Sequence, residues 1–194
     1  MKRTTLSLVL VFMVALPLSA SQFVRMDFDE VARGAKFIVR AQVIDTFSTW
    51  DDSREVIYTY ATLRVSRYFG EATGPDTLVV REVGGMVDGY RQEAIGFPEL
   101  RLGENVVLMV GEDGSNLRIH AYNQGKYLVR QRDGIEVLVE DPVRQGEARL
   151  QRPQFDIGVN AADEGPALTL DEFERMVDDA RGGRFDGTPL RQQQ

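Results

Sequence analysis

The sequence has no cysteine among its 194 residues, a single histidine and a single tryptophan. The missing thiols exclude disulfide bonds, thiolate metal sites and a cysteine nucleophile. Because His120 is the only imidazole, a zinc site built from several histidines is excluded as well. The domain must therefore depend on an apolar core for its stability.

Long apolar runs are missing everywhere except near the first residue. Lys2 and Arg3 precede an almost unbroken apolar stretch over residues 6–16, and small residues end the segment at Ala20. This pattern predicts a secretory signal peptide over residues 1–20 that is cleaved before Ser21. An uncleaved anchor is the alternative, although the stretch is about half of the ~20 residues that a membrane-spanning helix needs. We therefore expect an exported protein, periplasmic or extracellular, with no retained membrane span.

Basic residues are scarce in the chain that cleavage would leave. Loss of Lys2 and Arg3 leaves 21 basic residues against 30 acidic ones, a formal charge of −9, in 174 residues. An acidic surface repels phosphate backbones, so nucleic acid is a poor candidate partner. The length suits one domain with its own core, followed by a tail.

Most of the remaining chain shows the apolar and polar alternation of β-strands. Strands are predicted over residues 36–47, 55–69, 77–83, 105–110 and 117–121, and a hairpin over 126–140 that turns at 132–134. The run at 105–110 is continuously apolar, which predicts burial on both sides. Residues 48–53 are predicted to form a polar loop that contains Trp50. Residues 86–102 are predicted to be irregular, after a bulge or sharp bend at Gly84-Gly85, although residues 90–95 could form a brief pairing.

Two short helices are predicted at the ends of this pattern. Residues 26–34 suit a helix that Asp27 caps. A second helix is predicted over residues 169–181, where Thr169 and Glu172 have the spacing of a capping box. Its apolar side, which includes Leu170, Phe173 and Val177, predicts docking on the strands.

Short strands without interleaved long helices predict a mainly β protein. We expect an OB-like closed or partly open β-barrel over residues 21–140, with the short amino-terminal helix and the carboxy-terminal helix packed on it. Residues 141–168 are predicted to be a linker, and residues 182–194 a flexible tail.

The usual signatures of catalysis are missing from the sequence. No serine lies in a G-x-S-x-G setting, no glycine-rich phosphate loop occurs, and no EF-hand spacing is present. His120 is predicted to be an ordinary residue on a strand surface. The acidic pairs Asp51-Asp52 and Glu112-Asp113 lie in predicted turns, where turn chemistry and solubility are the commoner roles and calcium binding is the alternative. We therefore expect no enzymatic activity, no cofactor and no metal site.

Aromatic residues supply the candidate binding positions. Tyr58, Tyr60 and Tyr68 alternate along one face of the second strand, where they could bind a sugar or peptide or pair with neighbouring strands. Trp50, in its predicted polar loop, could anchor a partner or fold back over the end of the barrel. Tyr58, Tyr60 and Trp50 are therefore candidate partner-binding residues.

Part of the sequence resembles a known family. Three segments resemble the opening strands of tissue inhibitors of metalloproteinases, which have a netrin-like OB-fold. They are residues 35–43, the strand that ends in Tyr68-Phe69-Gly70, and residues 77–83. This resemblance covers about residues 21–83. The later segments Gly84-Gly85, Gly96-Phe97-Pro98, Gly103-Glu104 and Gln124-Gly125-Lys126 are similar instead to uncharacterised bacterial exported proteins loosely associated with matrixin-type proteases.

The resemblance implies a mode of inhibition. The α-amine and carbonyl of Ser21 would chelate the catalytic zinc of a matrixin-type metalloprotease, and Gln22 would enter its specificity pocket. The inhibitors begin with a cysteine and clamp this segment with disulfides, which this chain lacks. Ordering an unclamped segment costs about 1–2 kcal/mol per residue, which weakens binding.

Two functions follow as expectations. The first is a secreted OB-like module that binds a protein partner, with inhibition of a metalloprotease as its specific form. The alternative is a non-inhibitory periplasmic or surface structural protein that binds an envelope component.

Overall fold

The computed structural model describes residues 25–141 and 167–182, and its architecture is mainly β, as the alternation predicts. In chain order the elements are α1 (Phe28–Gly34), β1 (Phe37–Trp50), β2 (Ile57–Tyr68), β3 (Thr77–Val83), β4 (Gly85–Val87), β5 (Tyr90–Gln92), β6 (Asn105–Asp113), β7 (Asn116–Ile119), a 3₁₀ turn (Tyr122–Gly125), β8 (Lys126–Arg132), β9 (Ile135–Glu140), β10 (Ala167–Thr169) and α2 (Leu170–Arg181).

Five strands close a ring of hydrogen bonds in the order β1, β2, β3, β7, β6 and back to β1. Each hydrogen-bonded pairing of two neighbouring strands in the ring forms a joint. Four of the five joints are antiparallel, and each of these four contains at least four residue pairs. The joint between β3 and β7 is parallel and consists of the single pair Val80 and Leu117. From β6 the sheet continues outward through β8, β9 and β10.

Alternation along β1 and β6 divides the core into two parts. Val106, Leu108 and Val110 of β6 face the interior of the ring, whereas Val107 and Met109 face the two helices. The continuously apolar sequence of this strand is thus explained, because both of its faces are covered. The described helices cover the outer face of β1 and β6. None of these helices is long and apolar enough to cross a membrane.

Helix α2 is tied to the sheet by its first turn and by one aromatic side chain. The capping box is confirmed: the Thr169 hydroxyl accepts from the Glu172 N–H, and the Glu172 carboxylate accepts from the Thr169 N–H at 2.8 Å. Phe173 is fully buried, and its ring makes edge contacts with the rings of Phe28, Phe69 and Tyr127 at centroid distances of 5.2–5.7 Å. Burial of apolar rings therefore holds α2 on the domain.

Lys126 is a buried cation at the start of β8. Its ammonium group donates to the Glu99 carbonyl and lies 3.1 Å from a Glu104 carboxylate oxygen and 2.9 Å from an Asp141 carboxylate oxygen. With these partners the side chain ties the loop before β6 to the ends of β8 and β9. A charge this deeply buried requires such partners, since it has lost its hydration.

Several sequence predictions were wrong in detail. Residues 48–50 are not a loop but the end of β1, because their backbone pairs with residues 57–59 of β2. The predicted irregular stretch contains a hairpin, β4–β5, that turns at Asp88 and Gly89, both with positive φ. The predicted linker ends in strand β10, which pairs with β9.

The start of α1 also differs from the expectation. Asp27 occupies the cap position, but its side chain caps nothing, and its backbone carbonyl accepts from Glu30 and Val31 instead. Residues 142–166 of the predicted linker and residues 183–194 of the predicted tail lie outside the described residues.

Candidate binding surface

Three neighbouring strands present aromatic side chains on the outside of the ring. Residues paired directly across antiparallel strands point to the same face, so Phe47, Tyr60 and Arg81 form one row. Tyr58 lies in the next row and Val79 in the row on the other side. These five residues are the aromatic face.

The rings of the aromatic face are held by one another. Phe47 and Tyr60 stack with their planes 7° apart and their centroids 5.0 Å apart. The Arg81 guanidinium lies 4.5 Å from the centre of the Tyr58 ring, and an Asp113 carboxylate oxygen 3.2 Å away holds it there. Each such contact contributes about 0.5–1.5 kcal/mol, so the rings are ordered before any partner arrives.

The face is nevertheless open to solvent. Phe47 is 55% exposed and Val79 is 48% exposed, whereas the two tyrosines are half-buried against their neighbours. Among the described residues, no helix or second sheet lies over this side of β1, β2 and β3. Two large apolar side chains thus stand exposed beside ordered aromatic rings.

The last part of β1 is also an open edge. Strand β6 pairs with β1 only over residues 37–42. Residues 45–50 pair with β2 on one side, and no described strand pairs with them on the other. The edge contains neither proline nor lysine, the residues that most often block the addition of a strand.

The candidate residues from the sequence are only partly brought together. Tyr58 and Tyr60 lie in the aromatic face, and Tyr68 packs edge-on against Phe37 further along the sheet. Trp50 is on the opposite face of β1, where its ring packs edge-on against the ring of Tyr90 in the β4–β5 hairpin, with the ring centroids 6.0 Å apart. Ser21 and Gln22 lie outside the described residues.

A glycine sets the path of this hairpin. Gly85 has φ +140°, and a side chain there would collide with the hydroxyls of Ser48 and Thr59, which are hydrogen-bonded to each other at 2.8 Å. The Thr59 hydroxyl also donates to the Gly84 carbonyl. The hairpin therefore crosses the inner side of β1 and β2 and leaves the aromatic face uncovered.

The sequence suggested that His120 lies on a strand surface, and this prediction was wrong. Strand β7 ends at Ile119, and the imidazole is half-buried in the space that Gly34 and Gly111 leave. Burial lowers the pKa of His120 below its ordinary value of 6.5, and the positive charge of Arg118 lowers it further. His120 is therefore neutral at pH 7 and packs against the glycines.

The turn acids have local roles. The Asp51 carboxylate accepts from the Ser53 hydroxyl at 2.5 Å and from the N–H groups of Glu55 and Val56, and the Ser53 bond in particular lowers the pKa of Asp51. Asp51 thereby closes the turn between β1 and β2. Within residues 25–141 and 167–182, no group of three or more metal-ligating side chains is close enough to hold an ion.

Glu82 is a buried carboxylate that the sequence pattern did not single out. It is 5% exposed, one of its carboxylate oxygens accepts from the Ile119 N–H at 2.5 Å, and the other has no hydrogen-bond partner among residues 25–141 and 167–182. Burial raises the pKa of Glu82 from 4.5 to about 7. A signal was present, because Glu82 follows Leu78 and Val80 on the buried side of the alternation.

Comparison with known proteins gives no relative. No protein-family model matches the chain, and no curated protein or solved structure matches it significantly.

Proposed function

We propose that the protein is a binding module of OB-fold type that captures a protein partner on the aromatic face. The observation that carries the proposal is the Phe47–Tyr60 stack, in which Phe47 is ordered and yet 55% exposed. The five-stranded ring supports the fold assignment, since the OB-fold is a five-stranded, partly open barrel.

The composition of the aromatic face suits a protein interface. Tyrosine, phenylalanine and arginine are enriched in protein interfaces, where the residues that contribute most to affinity are large and well packed. Because Tyr58, Tyr60 and Arg81 are already held by neighbours, binding would cost them little side-chain entropy.

The open edge of β1 supports a specific way of binding. An extended segment of the partner could add to residues 45–50 as a further strand, and its backbone would satisfy the unpaired groups of this edge. A side chain of that segment would then lie over Phe47. Asp45 is the one charged residue of the edge, so a basic partner residue fits opposite it.

Alanine substitution tests the face. The chain that begins at Ser21 is used as bait for partner proteins, and the binding of each captured protein is then compared between variants. Phe47→Ala and Tyr60→Ala should each weaken binding by about 30-fold or more, the effect of losing about 2 kcal/mol.

The matched control is Ile135→Ala, at the first residue of β9, because Ile135 is 58% exposed and lies outside the face. It should leave binding unchanged. Equal effects of the three substitutions would show that the face is not the site.

Inhibition of a matrixin-type metalloprotease through Ser21 and Gln22 is a second candidate, and one observation favours it. The Met26 N–H donates to the Gln124 side chain at 2.8 Å, and the Arg25 guanidinium lies 3.6 Å from the Glu140 carboxylate. These contacts hold the chain three and four residues beyond Gln22 and so do part of what disulfides do in the inhibitors.

Extension of the amino terminus tests this second candidate. One alanine placed before Ser21 displaces the amine by about 3.5 Å, whereas zinc–nitrogen bonds are about 2.1 Å long and tolerate only a few tenths of an ångström. Inhibition by the native chain and not by the extended one is expected. Equal inhibition by both would exclude chelation, and inhibition by neither would favour binding of an envelope component.

A further inference from the structure

The joint between β3 and β7 is the weakest link in the ring. Every other joint contains at least four residue pairs, whereas this joint contains only Val80 and Leu117. The Glu82 carboxylate supplies the next contact along the joint, since it accepts from the Ile119 N–H. A side chain thus takes the place of a further backbone pair.

Glu82 is poorly compensated in its charged form. Its second carboxylate oxygen is buried without a partner among the described residues. The charged groups that face it are Arg81 on β3, Arg118 on β7 and Asp113 at the end of β6. Both guanidiniums are already engaged, because Arg81 pairs with Asp113 over the Tyr58 ring and Arg118 lies over the Phe97 and Tyr122 rings.

The backbone beyond the joint is strained as well. Ala121 and Tyr122 have φ values of 56° and 59°, a conformation that residues other than glycine adopt at an energetic cost. The segment that follows Ile119 therefore gains freedom when the contact to Glu82 is lost.

We propose that Glu82 is a proton-operated latch, whose neutral form keeps the β3–β7 joint closed and whose ionised form loosens it. The Ile119 N–H and the two guanidiniums favour the carboxylate, but the lost hydration outweighs them and raises the pKa to about 7. In a loosened joint the carboxylate reaches water, and its pKa returns toward 4.5.

The sign of the effect follows from these two pKa values. The closed form holds its proton up to about pH 7 and the open form only up to about pH 4.5. The stabilisation of the closed joint is complete below pH 4.5 and is lost as the pH rises through 7. Between pH 6 and pH 8 the population of the open joint should rise about tenfold, the result expected from the two pKa values.

Hydrogen exchange of the Ile119 amide tests the latch in the full chain. Its protection factor, corrected for the intrinsic effect of pH on exchange, should fall about tenfold from pH 6 to pH 8. Glu82→Gln keeps an oxygen acceptor but cannot ionise, so this variant should show no such fall. Glu112→Gln is the matched control, because Glu112 is an exposed carboxylate on β6, and it should behave like the native chain.

Two results would overturn the proposal. One is an equal loss of protection in the core amides of β1 and β6, which would indicate global destabilisation and no local latch. The other is an apparent pKa near 4.5 for the Glu82 carboxyl carbon in a carbon-13 NMR titration of the native protein, a measurement that does not depend on whether the Gln variant folds.

Discussion

Truncation of Phe173 to alanine tests the part of the core that lies between the two helices and the sheet. The ring is fully buried among Phe28, Phe69 and Tyr127, so its removal leaves a cavity between α2 and the sheet. Such a truncation typically costs about 3–5 kcal/mol. For a domain of this size each kilocalorie lowers the melting temperature by about 2–4 °C, and Phe173→Ala should therefore melt roughly 6–20 °C below the native protein.

Urea denaturation measures this loss with two independent probes. Far-ultraviolet circular dichroism follows the whole domain, and fluorescence follows Trp50, the single tryptophan, which lies on β1 away from α2. Coincident transitions would show that the helix and the ring unfold as one cooperative unit.

Arg175→Ala is the control for the same helix, because Arg175 is exposed and its side chain donates only to a backbone carbonyl. It should change stability by no more than about 0.5 kcal/mol. A loss below about 1 kcal/mol for Phe173→Ala would refute the packing of α2 as a source of domain stability.

Two further substitutions test how the loops are held. Lys126→Ala leaves the Glu104 and Asp141 carboxylates without their buried cation, so the free energy of unfolding in urea should fall by about 3–5 kcal/mol; a loss under 1 kcal/mol would mean that the ion pair is dispensable. Gly85→Ala places a methyl group against the hydroxyls of Ser48 and Thr59 and should therefore lower the melting temperature. Gly89→Ala is the control and should lower it less, because its added Cβ would have no neighbour within 4 Å. Equal shifts in the two variants would contradict the close crossing of the hairpin over β1 and β2.

Much of the fold could be predicted because it depends on local patterns. Strand β3 has the predicted bounds, the β8–β9 hairpin turns at Asp133 and Gly134, and the capping box of Thr169 begins α2. In each case the determining residues are neighbours in sequence, so the alternation, the turn residues or the cap can be read directly.

The candidate site was harder to predict from the sequence, because it depends on the register in which β1 and β2 pair. Tyr60 stacks on Phe47 only because β1 and β2 are offset by two irregularities, after Arg40 and after Val43, which no local pattern reveals. The polar sequence around Trp50 suggested a loop, yet pairing with β2 extends the strand through it. Tertiary hydrogen bonds override local propensity in such cases.

Burial of charged groups was unpredictable for a similar reason. Lys126 is the first residue of β8, and its partners come from the loop that carries Glu99 and Glu104 and from Asp141 after β9. These partners lie between 15 and 27 residues away in sequence, so only the assembled fold brings them together.

Photo-crosslinking from the aromatic face tests the central claim most directly. A photoreactive phenylalanine analogue replaces Phe47 in one chain and the similarly exposed Ile135 in another, and both chains are irradiated in the cells that produce them. Binding through the aromatic face predicts a discrete protein adduct from position 47 and none from position 135, with the position-47 adduct lost when Tyr60→Ala is added. No adduct at position 47, or the same adducts at both positions, would contradict it.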